Sequence, residues 1–170
     1  MKKILIVHNN YRFKGGEDIA LVNEIELLKQ KYNVQFLSFQ NDYKNPIFIF
    51  LSFITNKNYK SRKIFKKALN EFSPDLVYIH NTWFKASLAI FSVLKKKDIP
   101  VVLKLHNFRY NCSRHFLKKN HLTNNEFCTA CGMKDNGGLI NKYFQESFLK
   151  SIFLIRYGKL YFNILKKNNL

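Results

Sequence analysis

An α/β fold built on a doubly wound parallel sheet is what this sequence predicts, and three observations carry the prediction. Short apolar runs alternate with longer amphipathic ones along the chain. Three of those runs end in the same His-Asn pair, as ILIVHN (4–9), LVYIHN (76–81) and VLKLHN (102–107). A paired glycine, Gly15-Gly16, stands between the first run and the segment that follows it.

Taken in order, ILIV (4–7) is short, continuous and rich in branched residues, as strands buried on both faces are. Residues 17–31 read as a helix, with Ile19, Leu21, Val22, Ile25 and Leu28 spaced for a buried face and Glu17-Asp18 complementing the helix dipole in the first turn. VQFLSF (34–39) is the second strand. Residues 60–72 form a basic amphipathic helix, with Ile64, Phe65, Ala68, Leu69 and Phe72 on one side and Arg62, Lys63, Lys66 and Lys67 on the other, stopped by Ser73-Pro74. DLVYI (75–79) is the third strand, 84–97 a helix ending in Lys95-Lys96-Lys97, and VVLKL (101–105), after Pro100, the fourth strand. This alternation makes a right-handed, Rossmann-like topology the economical one. An irregular insertion without periodicity then runs from 107 to 137, carrying all three cysteines and ending at Gly137-Gly138. Residues 139–165 turn helical again, with a break at Gly158.

At 170 residues the chain is read as one domain, 1–170, with a core that buries ~70% of its unfolded surface. Hydrophobic residues make up 46%, including 17 Phe and 9 Tyr, which excludes a disordered chain. Twenty-nine basic side chains against 11 acidic ones give a net charge of +18. That imbalance favours a polyanionic partner, although coding bias towards Lys and Asn is the plainer alternative. The opening MKKILIVHNN has only four apolar residues in its first run, too few for the core of a signal peptide, and PIFIFLSFI (46–54) falls below the ~20 residues of a membrane span. Three cysteines, an odd number, fit a reducing cytoplasm better than a disulfide framework. The expected location is therefore cytoplasmic. The run at 46–54 followed by the basic helix has the composition of an interfacial membrane segment, so peripheral attachment to the anionic inner face of the plasma membrane through Arg62, Lys63, Lys66 and Lys67 stands beside an ordinary solvated helix face. No recognised nucleic-acid-binding pattern accompanies the aromatics, and nucleic acid is not the expected partner; a zinc-containing nucleic-acid binder is a further alternative.

Ligands of open parallel sheets bind outside the carboxyl ends of the strands. His8, His80 and His106 all fall there, followed by Asn9, Asn81 and Asn107. One histidine closing a strand is ordinarily packed and hydrogen-bonded; three on one rim point to a site. Gly15 and Gly16 would let backbone N–H groups approach a phosphate at a helix N-terminus, or form only a tight turn, since neither a dinucleotide fingerprint nor a Walker lysine is present. Cys112, Cys128 and Cys131, spaced C-x15-C-x2-C, make with His106, His115 or His121 an incomplete zinc pattern whose alternative is a loop of reduced thiols. No metal is expected.

Together HNNYRFKGGED after the first strand, SPDLVYIHNTWF in the middle, and IPVVLKLHNFRYNC followed by C-x-x-C closely resemble the acceptor-side, N-terminal Rossmann-like domain of family 4 glycosyltransferases of the GT-B fold, over roughly residues 3–150. The resemblance implies transfer of a hexosyl unit, with retention at the anomeric carbon and no bound metal, from a nucleotide-sugar co-substrate to a glycan or lipid-linked acceptor in surface polysaccharide or glycolipid assembly. No other cofactor is implied. It places Gly15 and Gly16 on the donor diphosphate, His106 beside the transferred sugar as the catalytic residue, and His80 and Asn107 along the acceptor rim, to which the strand-end pattern adds His8, Asn9 and Asn81. Two departures stand out. His115 and His121 occupy positions where related sequences tend to carry glycine, and the nucleotide-binding second domain of the family, with its pair of glutamates, has no counterpart here. The resulting expectation is the acceptor half of a truncated enzyme, or of a split one whose donor domain a separate chain supplies, inactive alone. The alternative is a non-catalytic basic module that docks on a membrane or partner, or a decayed gene fragment.

Overall fold

The computed structural model describes residues 1–10, 15–40, 58–83, 85–106 and 147–167, with positions 45, 47, 50, 51 and 55. Two compact units make up the chain, Met1–His106 and Asn107–Asn169. Asn107, Cys112, Cys128, Cys131, His115, His121, the insertion they belong to and most of the run at 46–54 lie outside the described residues.

The first unit holds a four-stranded sheet of β1 (Lys3–Asn10), β2 (Asn33–Gln40), β3 (Leu76–Ile79) and β4 (Val101–Leu103), in the order β2-β1-β3-β4. All three pairings are parallel. This is the Rossmann-like α/β arrangement that the alternating pattern predicts. Burial follows from position: β1 lies between two strands, and its residues from Ile4 to Asn9 are all buried, whereas β2, at an edge, leaves half its side chains exposed.

Strand alternation sorts the core into two layers. Ile4 and Ile6 pack with Leu21 of α1 (Gly16–Lys29), and Ile25, Leu28, Leu76 and Tyr78 close around them. Leu5, Val7, Val77 and Ile79 are completely buried and, by the same alternation, face the opposite layer. There, α2 (Tyr59–Phe72) buries Phe65, Ala68 and Leu69, and a single 3-10 turn (Leu88–Ile90) leads into the short α3 (Phe91–Leu94).

Several sequence expectations shift. On α1 the buried stripe is Leu21, Ile25 and Leu28; Ile19 and Val22 remain 65% and 53% exposed, because apolar residues surround this helix and only one arc meets the sheet. Ile64 of α2 is likewise exposed. The helix expected over 84–97 shrinks to the turn and α3, since Ser87 has φ 57°, a left-handed conformation that an α-helix cannot contain. β4 ends at Leu103, and Leu105 is 68% exposed. In the second unit, α4 (Phe148–Lys167) runs unbroken through Gly158, which is buried together with Ser151, Leu154, Tyr157 and Tyr161. A helical glycine costs only about 1 kcal/mol relative to alanine, so it need not break a helix.

The loop after β3 is tied down from below. Asn58 caps α2 by accepting from the Ser61 amide at 3.1 Å, while its Nδ2 and the Ser61 hydroxyl both donate to the carbonyl of Lys85, at 2.8 and 2.6 Å. Asn58→Ala should therefore cost about 1–2 kcal/mol in urea unfolding, because the cap and the loop tether are lost together. Lys67→Ala, which removes only an exposed i,i+4 pair with Glu71, should stay within ~0.5 kcal/mol of the parent. Equal effects would show that the tether is not what holds the loop.

Candidate functional site at the carboxyl ends of the strands

The chain passes from β1 to β2 on one side and then crosses to β3 on the other, so the strand order reverses between β1 and β3. Such a switch point leaves a crevice outside the carboxyl ends of the strands. Alternation decides what lines it. Ile4, Ile6 and His8 share one face of β1, and Leu76, Tyr78 and His80 the same face of β3, because Ile4 pairs with Leu76 and Ile6 with Tyr78. That face carries α1.

His8 and His80 are both almost completely buried, with their ring centroids 6.3 Å apart. Beyond β4, His106 turns back so that its Nε2 lies 3.0 Å from His80 Nδ1. The three histidines from the three strand ends thus meet in one cluster. Two carboxylates of α1 reach it. Asp18 Oδ1 lies 3.1 Å from His8 Nε2, while its Oδ2 accepts the Gly15 amide at 2.7 Å. Glu24 Oε2 accepts from the Tyr78 hydroxyl at 2.9 Å and lies 3.3 Å from His80 Nε2, and its Oε1 pairs with the ammonium of Lys104. The Tyr78 ring packs on His80 with centroids 4.4 Å apart.

Burial sets the protonation of this cluster. Desolvation pushes His80 down from 6.5 to about 4, helped by the neighbouring His106 and His8. His106 is also lowered, first by burial, with Lys104 adding to the shift and Glu17 opposing it. His8 is lowered by burial against the opposing pull of Asp18 and Glu17. All three rings are therefore neutral at neutral pH and act as one donor and one acceptor each. The rings at the strand ends present hydrogen bonds here, without positive charge of their own.

The other predicted residues take different places. Asn9 and Asn81 face away from the histidines: Asn9 Oδ1 accepts the Ala86 amide at 2.8 Å, and Asn81 donates to the Asn9 carbonyl and accepts the Trp83 amide, both at 2.9 Å. These amides hold the 82–87 loop against β1. Gly15 caps α1 with extended backbone (φ −128°), and a Cβ added at Gly15 or Gly16 would meet nothing within 4 Å among the described residues. Neither backbone strain nor crowding therefore requires glycine at these two positions. Lys63, Lys66 and Lys67 are exposed on α2 and Arg62 is half-buried. Among the described residues no three His, Cys, Asp or Glu side chains converge as metal ligands.

Glu24, Tyr78 and Lys104 were not foreseen, and Asp18 only as a complement to the dipole. A signal did exist for Glu24. It sits in the buried stripe Leu21-Glu24-Ile25-Leu28, and a carboxylate on the core side of a helix needs a polar partner.

A histidine whose folded pKa lies below its unfolded value takes up a proton more readily in the unfolded chain. The stabilising neutral cluster is then complete above pH 6.5 and lost as pH falls towards about 4. For His80 alone the expected loss across that window is of order 2 kcal/mol, after allowance for solvent at the open rim. Urea midpoints measured along the window should fall, and His80→Gln should flatten the slope; an unchanged slope in a folded His80→Gln would refute the assignment.

Comparison with protein-family models, with curated proteins and with solved structures finds no match for this chain, and the chemistry of the rim itself carries the functional argument.

Proposed function

We propose that the rim of His8, His80 and His106 is the acceptor-side wall of a glycosyl-transfer site, where a hexosyl unit passes from a nucleotide-sugar to a glycan or lipid-linked acceptor. The observation that carries this reading is the meeting of three neutral imidazoles, two buried and one half-buried, at the switch point of a parallel sheet. The resemblance of the strand-end motifs to family 4 glycosyltransferases gives the cluster its chemical class. Sugar hydroxyls are neutral groups that donate and accept at once, and neutral imidazoles match them without the desolvation cost of a fixed charge. His106, half-buried where the other two rings are almost completely buried, is in this reading the ring that touches a hydroxyl and orients the sugar.

The departing diphosphate is a different task, best met by preorganised donors and dipoles. Open space around Gly15 and Gly16 among the described residues supports a phosphate-facing role for these two glycines. Asp18 nevertheless occupies the Gly15 amide, and Glu17 adds a second carboxylate to the same turn. In this reading the diphosphate is held mainly by a second, donor-binding wall, and transfer needs both walls to position the reacting centres.

Two measurements test the proposal. Titration of the chain with a panel of oligosaccharide and lipid-linked acceptors should move the ring resonances of His80 and His106, and His106→Ala should abolish the response while leaving the fold intact. The chain alone should not turn over nucleotide-sugar. Ring resonances that no saccharide moves, or sugar transfer by the unaided chain, would sink the half-site reading.

A second reading has its own observation in the exposed Lys63, Lys66 and Lys67 on the outer side of α2, on a chain of net charge +18. Docking on an anionic bilayer would draw roughly 1 kcal/mol from each basic residue near the surface. Sedimentation with anionic vesicles should exceed that with neutral ones, weaken with salt, and drop when Lys63, Lys66 and Lys67 are changed to Glu. Equal sedimentation with both vesicle types would remove the reading.

A further inference from the structure

The geometry points to Glu24 as the positioning residue that makes His106 a hydrogen-bond acceptor, acting through His80: the Glu24 carboxylate holds the proton of His80 on Nε2, His80 Nδ1 then takes the Nε2–H of His106, and His106 Nδ1 is left with its lone pair for a substrate hydroxyl. The substrate depends on the glycosyl-transfer reading, whereas the order of protons stands on the cluster alone.

Glu24 lies on the sheet-facing stripe of α1, with Leu21, Ile25 and Leu28 around it, and three groups from the sheet converge on its two oxygens. Lys104 neutralises Oε1. The Tyr78 hydroxyl donates to Oε2 at 2.9 Å, and His80 Nε2 lies 3.3 Å from the same oxygen. That last approach is skewed from hydrogen-bond alignment, so His80 Nε2 makes no regular hydrogen bond among the described residues. Electrostatics still decides it. A carboxylate has no proton to give, so a bare ring nitrogen at 3.3 Å would set lone pair against anion, whereas N–H at that place is attracted. A neutral imidazole carries one proton, and placing it on Nε2 strips Nδ1.

His80 Nδ1 and His106 Nε2 are 3.0 Å apart, which requires one proton between them. With His80 Nδ1 bare, that proton belongs to His106. His106 is itself neutral, so its remaining nitrogen, Nδ1, carries no proton and accepts. Without the carboxylate the opposite order is equally good: His80 Nδ1–H would donate to His106 Nε2, and His106 Nδ1–H would present a donor. Glu24 therefore selects between an acceptor and a donor at the rim without touching the substrate. Asp18 does the same for His8, whose Nε2 faces Oδ1 and whose Nδ1 is buried without a partner among the described residues.

Nitrogen-15 NMR of the histidine rings in the intact chain, above pH 6.5, reads the tautomers directly. The expected result is a proton on Nε2 in both His80 and His106. Finding His80 protonated on Nδ1 overturns the proposal without any variant. In Glu24→Gln the amide oxygen can keep Lys104 while the NH2, at the place of Oε2, donates to His80 Nε2, so both rings should invert, His106 then carrying its proton on Nδ1. Tyr78→Phe, which removes a donor to Glu24 but leaves the carboxylate, should keep the original order. A folded Glu24→Gln that retains the original tautomers would also refute the role. Since these signatures need no substrate, failure of saccharides to bind would count against the transfer reading and leave this one standing, and the reverse.

Discussion

Parallel pairing of β1 with β3 is the constraint on which everything at the rim depends. The register that sets Ile4 against Leu76 and Val7 against Ile79 brings His8 and His80 to the same height and the same face. A slip of one residue would send His80 to the opposite layer, among Leu5, Val7 and Phe91, where no carboxylate of α1 can reach it. The register is protected by burial. Ile6, Leu5 and Val7 are completely buried, as are Val77 and Ile79, so a slip would also turn the core of both strands over. Core packing and site geometry are thus set by the same pairing.

The same alternation explains the division of labour between histidine and asparagine. In the His8-Asn9 and His80-Asn81 pairs the histidine falls on the α1 face and the asparagine on the face of α2 and α3. His8 and His80 consequently meet carboxylates, while Asn9 and Asn81 meet backbone amides of the 82–87 loop. The repeated dipeptide reads as a single rim in the sequence, yet it serves two layers. Its histidines belong to the crevice. Asn9 and Asn81 anchor the loop that follows β3.

Strand positions and the meeting of the histidines were legible because both follow from short-range patterns: continuous apolar runs and residues that end them. Partners drawn from other elements were not. Glu24 meets Tyr78 and Lys104 across 54 and 80 residues of chain, and nothing in local periodicity ties these positions together. The exposure of Ile19 and Val22 was illegible for a related reason. A helix with apolar residues on most sides does not declare which arc will face the sheet, and that choice is made by tertiary contact. Ser87 shows the limit from the other direction: its left-handed backbone, which cuts the expected helix short, occurs at a residue type with no strong preference for it.

Charge on α1 is the remaining step. A helix meant to grip phosphate at its N-terminus gains from bare amides and loses from nearby carboxylates, since both would act on the same anion. Here Glu17 and Asp18 stand in the first turn, and Asp18 spends one oxygen on the Gly15 amide and the other on His8. Glu24 repeats the pattern two turns on, with one oxygen on Lys104 and the other towards Tyr78 and His80. Each carboxylate thus couples the helix to a ring at a strand end. The dipole of α1 is balanced internally, and the helix acts on the crevice by ordering protons on buried imidazoles. This arrangement also accounts for the paradox of a strongly basic chain whose best-formed cluster carries no net positive charge: the lysines of α2 lie outside on a solvated face, and at the rim burial keeps the histidines neutral while Lys104 and Glu24 cancel.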